Sequence, residues 1–137
     1  LLDMLDKYNA EEVKERIAGK VIIVDSIGRL LKLYSIADAA YIGGAFGAGV
    51  HSVAEPAGYG IPLAAGSKIN NSPDALNLQE KGALTVINSK TEFYKWMEII
   101  LTEDKVRNAA GKRAKNYVYD LTKKKKKITD VILQHFE

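Results

Sequence analysis

Between residues 39 and 87, short apolar runs alternate with stretches of helical character, and that alternation leaves few folds open. Residues 39–42, 62–65 and 84–87 are brief and rich in branched or small apolar side chains, as are residues 21–24, a continuous Val-Ile-Ile-Val run between Gly19 and Asp25. Runs this short, apolar on both faces, read as strands of a buried parallel sheet. The intervening segments carry helix signals: Glu11 and Glu12 after Asn9 with Gly19 at the stop, then Leu30, Leu31, Leu33 and Tyr34 within a helix over 27–36. Further helices are predicted over 55–59 and 73–80. Parallel strands need crossover connections, so the expected fold is α/β, a Rossmann-like open parallel sheet with flanking helices.

The last third departs from the alternation. Ser89 and Glu92 have capping-box spacing ahead of Phe93, Trp96, Met97 and Ile100, a stripe expected to be core. Thr102, Glu103 and Asp104 are expected to cap a further helix, and Ile128, Val131, Ile132 and Phe136 to mark a separate last one. These are extra C-terminal helices beyond the sheet.

Composition narrows the chemistry. With 137 residues, 47% hydrophobic and 27% charged, the chain can bury one core, so residues 1–137 are expected to form a single domain. There is no cysteine, which removes disulfides, thiolate catalysis and cysteine-ligated metals. No run of about 18 apolar residues and no signal peptide is present, so no span or export is expected. The net charge of +3 is concentrated in Lys123, Lys124, Lys125, Lys126 and Lys127. Leu1 falls directly into a helical pattern, and the sequence is expected to be a piece of a longer protein.

Ligands of an open α/β sheet bind beyond the carboxyl ends of the strands. There the loop after Ile42 carries four glycines in seven residues, Gly43, Gly44, Gly47 and Gly49, followed by His51. Glycine permits positive φ and close backbone approach, and a helix start just beyond offers N–H groups to a phosphate. The spacing is neither the dinucleotide fingerprint nor a Walker loop, and a tight turn needing glycine fits as well. Ser52 and Glu55 have capping-box spacing. That register would put Pro56 at the fourth helical position, where it deletes a backbone bond, whereas a helix starting at Glu55 suits Pro56 and leaves the carboxylate free for ribose hydroxyls. His51 has no partner at metal-ligand spacing and fits a phosphate or sugar contact, or a bond that ties down the loop. The loop 66–72 could bring Lys68 and amide side chains to the same ligand; Asn and Ser there equally suit a turn before Pro73.

The order Val24-Asp25-Ser26-Ile27-Gly28-Arg29-Leu30, Leu33-Tyr34, Ala40-Tyr41-Ile42-Gly43-Gly44, Phe46-Gly47, Gly49, His51, Glu55, Gly66 and Asn71 resembles the 3-deoxy-D-manno-octulosonic acid (Kdo) transferase family over about residues 20–88. The resemblance implies the C-terminal, donor-binding half of a GT-B glycosyltransferase that moves Kdo from CMP-Kdo to a lipid A precursor in lipopolysaccharide biosynthesis. It also implies inversion at the anomeric centre and no metal or cofactor. By motif position Glu55 matches the donor-ribose glutamate, Gly43, Gly44 and His51 the glycine-loop and histidine positions, and Asn71 an asparagine after the next strand. Ser52 stands where the family commonly has asparagine, Ser67 where it often has proline, and Arg29 where relatives are frequently acidic. The general base belongs to the N-terminal domain of the same protein, so no catalytic residue is expected in this chain, and the chain alone is expected to be inactive. A peripheral site on the cytoplasmic face of the bacterial inner membrane follows, with the lysine run as a contact to anionic lipid.

Three other readings fit parts of the sequence. A GT-B domain for a UDP- or GDP-sugar would share the strand, glycine loop and glutamate. A non-catalytic sugar-nucleotide sensor would keep the fold. A module for anionic lipid or nucleic acid would be built on the lysines, although no stacking platform for nucleic acid accompanies them.

Overall fold

The computed structural model describes residues 2–25 and 28–134, in two compact units, Leu1–Asp38 and Ala39–Glu137.

The first unit holds α1 (Leu2–Lys7), α2 (Ala10–Ile17) and α3 (Leu30–Tyr34). Asn9 caps α2 through a full capping box: its Oδ1 accepts from the Glu12 N–H at 3.0 Å, and Glu12 Oε2 accepts from the Asn9 N–H at 3.3 Å. Lys14 pairs with Asp38 at 2.8 Å and Lys32 with Asp6, whose carboxyl is held below its ordinary pKa first by that hydrogen bond and then by the Lys32 charge. The expected strand over 21–24 does not form. Residues 21–25 lie in no regular element, and Val21 and Ile23 are 96% and 90% exposed. Branched apolar residues favour a pleated surface, but a strand exists only through ladder bonds to a neighbour, and no described strand pairs with this run. The α3 helix is also shorter than expected, with Leu30 and Leu31 about half exposed; Ile27, where it was to begin, lies outside the described residues.

The second unit is the expected open sheet. Strands β1 (Ala40–Ile42), β2 (Leu63–Ala65) and β3 (Leu84–Val86) pair in parallel, in the order β1-β2-β3, with Ala40, Tyr41 and Ile42 opposite Leu63, Ala64 and Ala65. The crossovers are α4 (Ala54–Gly58) and α5 (Pro73–Glu80), and α6 (Lys90–Thr102) and α7 (Asp104–Gln134) follow β3. The central strand is fully buried. Ala64 turns to one face, where its small side chain admits Trp96 and Ile100 of α6, with Ile87 in the same cluster and Phe93 and Met97 packed against it. The predicted stripe is therefore core. Leu63 and Ala65 face the other way by strand alternation.

Helix α7 runs without a break, so the two helices expected after residue 102 are one of 31 residues. Glu103 ends α6 as its C-cap, and lysine is a good helix former that gives no stop signal. Phe136, expected to mark the last helix, lies outside the described residues. Three of the contacts on α7 seat it against the turns after α4 and α5 and against α5. Gly111 of α7 lies against the turn at Gly60, where a Cβ on Gly111 would stand 2.0 Å from the Gly60 carbonyl oxygen. Arg113 donates twice to the Gly82 carbonyl, at 3.1 and 2.8 Å. Tyr117 donates to Asp74 Oδ1 of α5 at 2.6 Å, and burial together with that carboxylate pushes its hydroxyl up to about 12 from 10.

Candidate functional site

A parallel sheet places all its carboxyl ends on one edge, so the loops after β1, β2 and β3 meet there. The glycine loop is folded on itself. The Gly44 carbonyl accepts from the N–H of Gly47 at 2.8 Å and of Gly49 at 3.2 Å, and the Gly43 carbonyl accepts from the His51 N–H at 3.2 Å. Of the four glycines named from the sequence, only Gly44 (φ +87) and Gly49 (φ +132) need the left-handed region. Both are also sites of close approach. A Cβ on Gly44 would fall 2.3 Å from the Gly49 carbonyl oxygen and 2.5 Å from His51 Cδ2, so the imidazole rests on the bare Cα of Gly44. Gly43 and Gly47 make room for nothing comparable.

This folding changes what the loop can offer a phosphate. The N–H groups of Gly47, Gly49, Val50 and His51 are all spent inside the loop or on its neighbour. Open donors remain at Phe46 and Ala48 in the loop and lie also further along, where Val53 caps α4 without a side-chain bond and the N–H groups of Ala54 and Glu55 have no partner among the described residues. The helix begins at Ala54, one residue earlier than expected, so Pro56 occupies the third helical position. Its missing N–H is still one of the four that a helix start leaves unbonded. The Ser52 capping box does not form. The Glu55 carboxylate stands exposed, with no hydrogen bond or ion pair to any described residue, and His51 and Ser52 are exposed beside it.

The loop 66–72 braces the glycine loop. The Lys68 N–H donates to the Ala45 carbonyl at 2.8 Å, and its Nζ to the Gly47 carbonyl at 3.1 Å. Asn71 is engaged at both ends of its amide, accepting from the Val50 N–H at 3.1 Å and donating to the Val50 carbonyl at 3.0 Å. Ser72, a neighbouring turn residue, caps α5 through the Ala75 N–H at 3.1 Å. A polar recess of about 240 Å³ lies between the two loops, walled by Gly49, Ser67, Lys68, Asn70 and Asn71.

Phe46 had no place among the site residues expected from the sequence, yet it stands 60% exposed at this edge. Gly66 leaves space for its ring, since a Cβ there would meet three ring carbons at 3.0 Å. With Tyr41, Phe93 and Lys90 it lines a cleft of about 450 Å³, and Tyr41 meets Phe93 edge-on at 5.6 Å. The signal was an aromatic residue alone among glycines.

The lysines at 123–127 lie far from these loops in sequence, all exposed on α7, with Lys123 over the Tyr119 ring at 4.5 Å. Among the described residues no cluster of His, Asp or Glu could hold a metal ion, and no helix is long and apolar enough to cross a membrane.

No family model matches the chain. Curated relatives do. The chain is 35% identical over 102 residues to the 3-deoxy-D-manno-octulosonic acid transferase of Chlamydophila psittaci, a match covering 72% of this chain and 23% of that protein. It is 32% identical over 99 residues to the Chlamydia muridarum transferase of the same name (71% and 23% covered), and 31% identical over 106 residues to that of Aquifex aeolicus (71% and 30%). Among solved structures, the C-terminal CMP-Kdo binding domain of WaaA from Acinetobacter baumannii shares the fold with a TM-score of 0.64 at 17% identity, over 86% of this chain and 69% of that one. The chain spans about a quarter of the length of the curated relatives it matches. The chain therefore belongs to the 3-deoxy-D-manno-octulosonic acid transferase family, spans part of the length of these relatives, and has the fold of the WaaA C-terminal domain.

Proposed function

We propose that this chain is the donor-binding part of a transferase that moves Kdo from CMP-Kdo to a lipid A precursor. The observation that carries the reading is Glu55: a carboxylate with no partner among the described residues, at the start of α4 beside a glycine loop on the carboxyl edge of the sheet, in a chain whose relatives are named Kdo transferases. An exposed carboxylate with two free oxygens suits the paired hydroxyls of a ribose. The N–H groups of Ala54 and Glu55 and the His51 imidazole are among the donors available to the donor phosphate. They act as local hydrogen bonds, since a five-residue helix has little dipole to add.

In the reaction an acceptor hydroxyl loses its proton to a base in the N-terminal domain and attacks the anomeric carbon. The new C–O bond forms as the bond to the CMP phosphate breaks, with inversion and without a metal. Preorganised donors near His51 stabilise the negative charge that the leaving CMP gains. No residue of this chain moves a proton, so the chain by itself is inactive.

Calorimetric titration of the protein with CMP, UDP and GDP tests the donor class. CMP is expected to bind, and Glu55→Ala to remove that binding without changing the far-UV spectrum. Binding of UDP or GDP in place of CMP would move the protein to another GT-B donor class.

The lysines at 123–127 fit a peripheral contact with an anionic membrane face, each adding about 1 kcal/mol near such a surface. Changing all five to glutamine is expected to weaken co-sedimentation with vesicles containing anionic lipid; retention equal to the parent would remove the run from any membrane role.

A further inference from the structure

We infer that Asn71 is a positioning residue, and that the loop 66–72 acts as a template which sets the glycine loop for donor capture through Val50. The inference rests on the donor-binding reading above. It reassigns Asn71, whose motif position implied a place among the residues that touch the donor.

The geometry commits Asn71 to the protein at both ends of its amide. An amide side chain has two acceptor lone pairs and two N–H donors, and one of each is used here. Its oxygen takes the Val50 N–H and its nitrogen holds the Val50 carbonyl, so the side chain copies the paired bonds of a neighbouring strand. The Val50 N–H also reaches the Lys68 carbonyl at 3.1 Å, which joins three points of contact at one residue, on the peptide groups either side of its Cα. This approach requires the glycine beside it. A Cβ on Gly49 would stand 2.5 Å from Asn71 Cγ, so the amide lies directly over the Gly49 Cα.

The consequence runs along the chain. Val50 is buried, 5% exposed, and precedes His51, whose N–H closes the loop onto Gly43. Fixing the peptides on both sides of Val50 fixes the direction in which residues 51–55 leave the loop. Those residues carry His51 and Glu55. Lys68 extends the same template, tying Ala45 and Gly47 from its backbone and its Nζ. One loop thus holds the other at three of its residues.

Two substitutions break the clamp by different routes. Asn71→Ala removes both bonds, whereas Gly49→Ala leaves the amide intact and drives it away. Asn71→Asp is the conservative case: its oxygen still accepts from the Val50 N–H, but nothing donates to the carbonyl. Hydrogen exchange at the Val50 amide reads the clamp without any ligand, and CMP titration reads the site. In Asn71→Ala and Gly49→Ala, exchange at Val50 is expected to quicken at least about tenfold, while the amides of β2 keep their protection. CMP affinity is expected to fall about tenfold in both, with Asn71→Asp between these and the parent. If affinity falls in Asn71→Ala with Val50 exchange unchanged, Asn71 touches the donor and is no positioning residue. If exchange quickens with affinity unchanged, the clamp has no bearing on the donor. Either result overturns the inference. Failure of the donor reading is separate: the parent would then bind no CMP while the Val50 exchange still responded.

Discussion

Alanine at Gly111 is expected to destabilise the second unit by about 1–3 kcal/mol, the usual range for forcing an extra carbon into a packed interior. Helix propensity taken alone gives the opposite sign, since alanine is better than glycine by about 1 kcal/mol within a helix. The steric effect wins because the obstacle is backbone. The new Cβ would lie 2.0 Å from the Gly60 carbonyl oxygen and 2.9 Å from its carbon, and no side-chain rotation relieves that. Gly60 is itself held at φ +75, so the turn has little freedom to retreat. Helix α7 must therefore withdraw from α4 by more than an ångström, loosening the packing around Ala110 and Ala114. Urea unfolding reads the outcome as a lower midpoint. The control is Gly43→Ala, where a Cβ meets nothing within 4 Å and φ is negative; its midpoint is expected to stay level or rise. A Gly111→Ala midpoint at or above the parent's would mean that α7 is not seated as described.

The second large effect falls on the site. Gly44→Ala is expected to lower CMP affinity by about a hundredfold or more, equivalent to about 2.7 kcal/mol. Two costs combine. A left-handed conformation costs a side chain about 1–2 kcal/mol, and Gly44 sits at φ +87. In addition the Cβ would collide with the Gly49 carbonyl oxygen at 2.3 Å and with the His51 ring at 2.5 Å. The loop can relax only by opening the bonds that run from the Gly44 carbonyl, which releases His51 from its place above the glycine. The change falls in the loop beyond the end of β1 and touches no ladder bond of the sheet, so the far-UV spectrum should hold while titration shows the loss. Affinity within about twofold of the parent would show that neither the Gly44 bend nor the His51 position matters to binding.

Local signals were legible in the sequence wherever the deciding interaction is local. Helix α5 runs over the expected residues because Ser72 and Pro73 cap it from within four positions, and α2 begins where Asn9 and Glu12 bond each other. The three strands fall within a residue of their expected limits because glycine or proline punctuation bounds each run. The Val-Ile-Ile-Val run failed because pairing is a property of two segments, and composition describes only one. The Thr102 to Asp104 signal does mark where α6 ends and α7 starts, whereas the separate last helix expected at Ile128 failed because the lysines before it are good helix formers and supply no stop.

The candidate site divides in the same way. A glycine-rich loop after a strand was plain, but nothing in the spacing told which glycines bend backward. Asn71 was legible as a site position, whereas its bonds to Val50 needed the fold to bring two loops together. Phe46 stood inside the recognised pattern, and only its exposure over Gly66 marks it as part of the edge.

The strand order has a kinetic consequence. Because β1, β2 and β3 are neighbours in the sheet in the order in which they are neighbours in the chain, each new strand adds beside the one just placed, and the sheet grows through short loop closures alone. The seating of Gly111 against Gly60 is different, since it joins residues about fifty apart and depends on a helix that follows the whole sheet. During synthesis α4 and the turn at Gly60 therefore wait, with their outer side unpacked, until α7 arrives to seat against them.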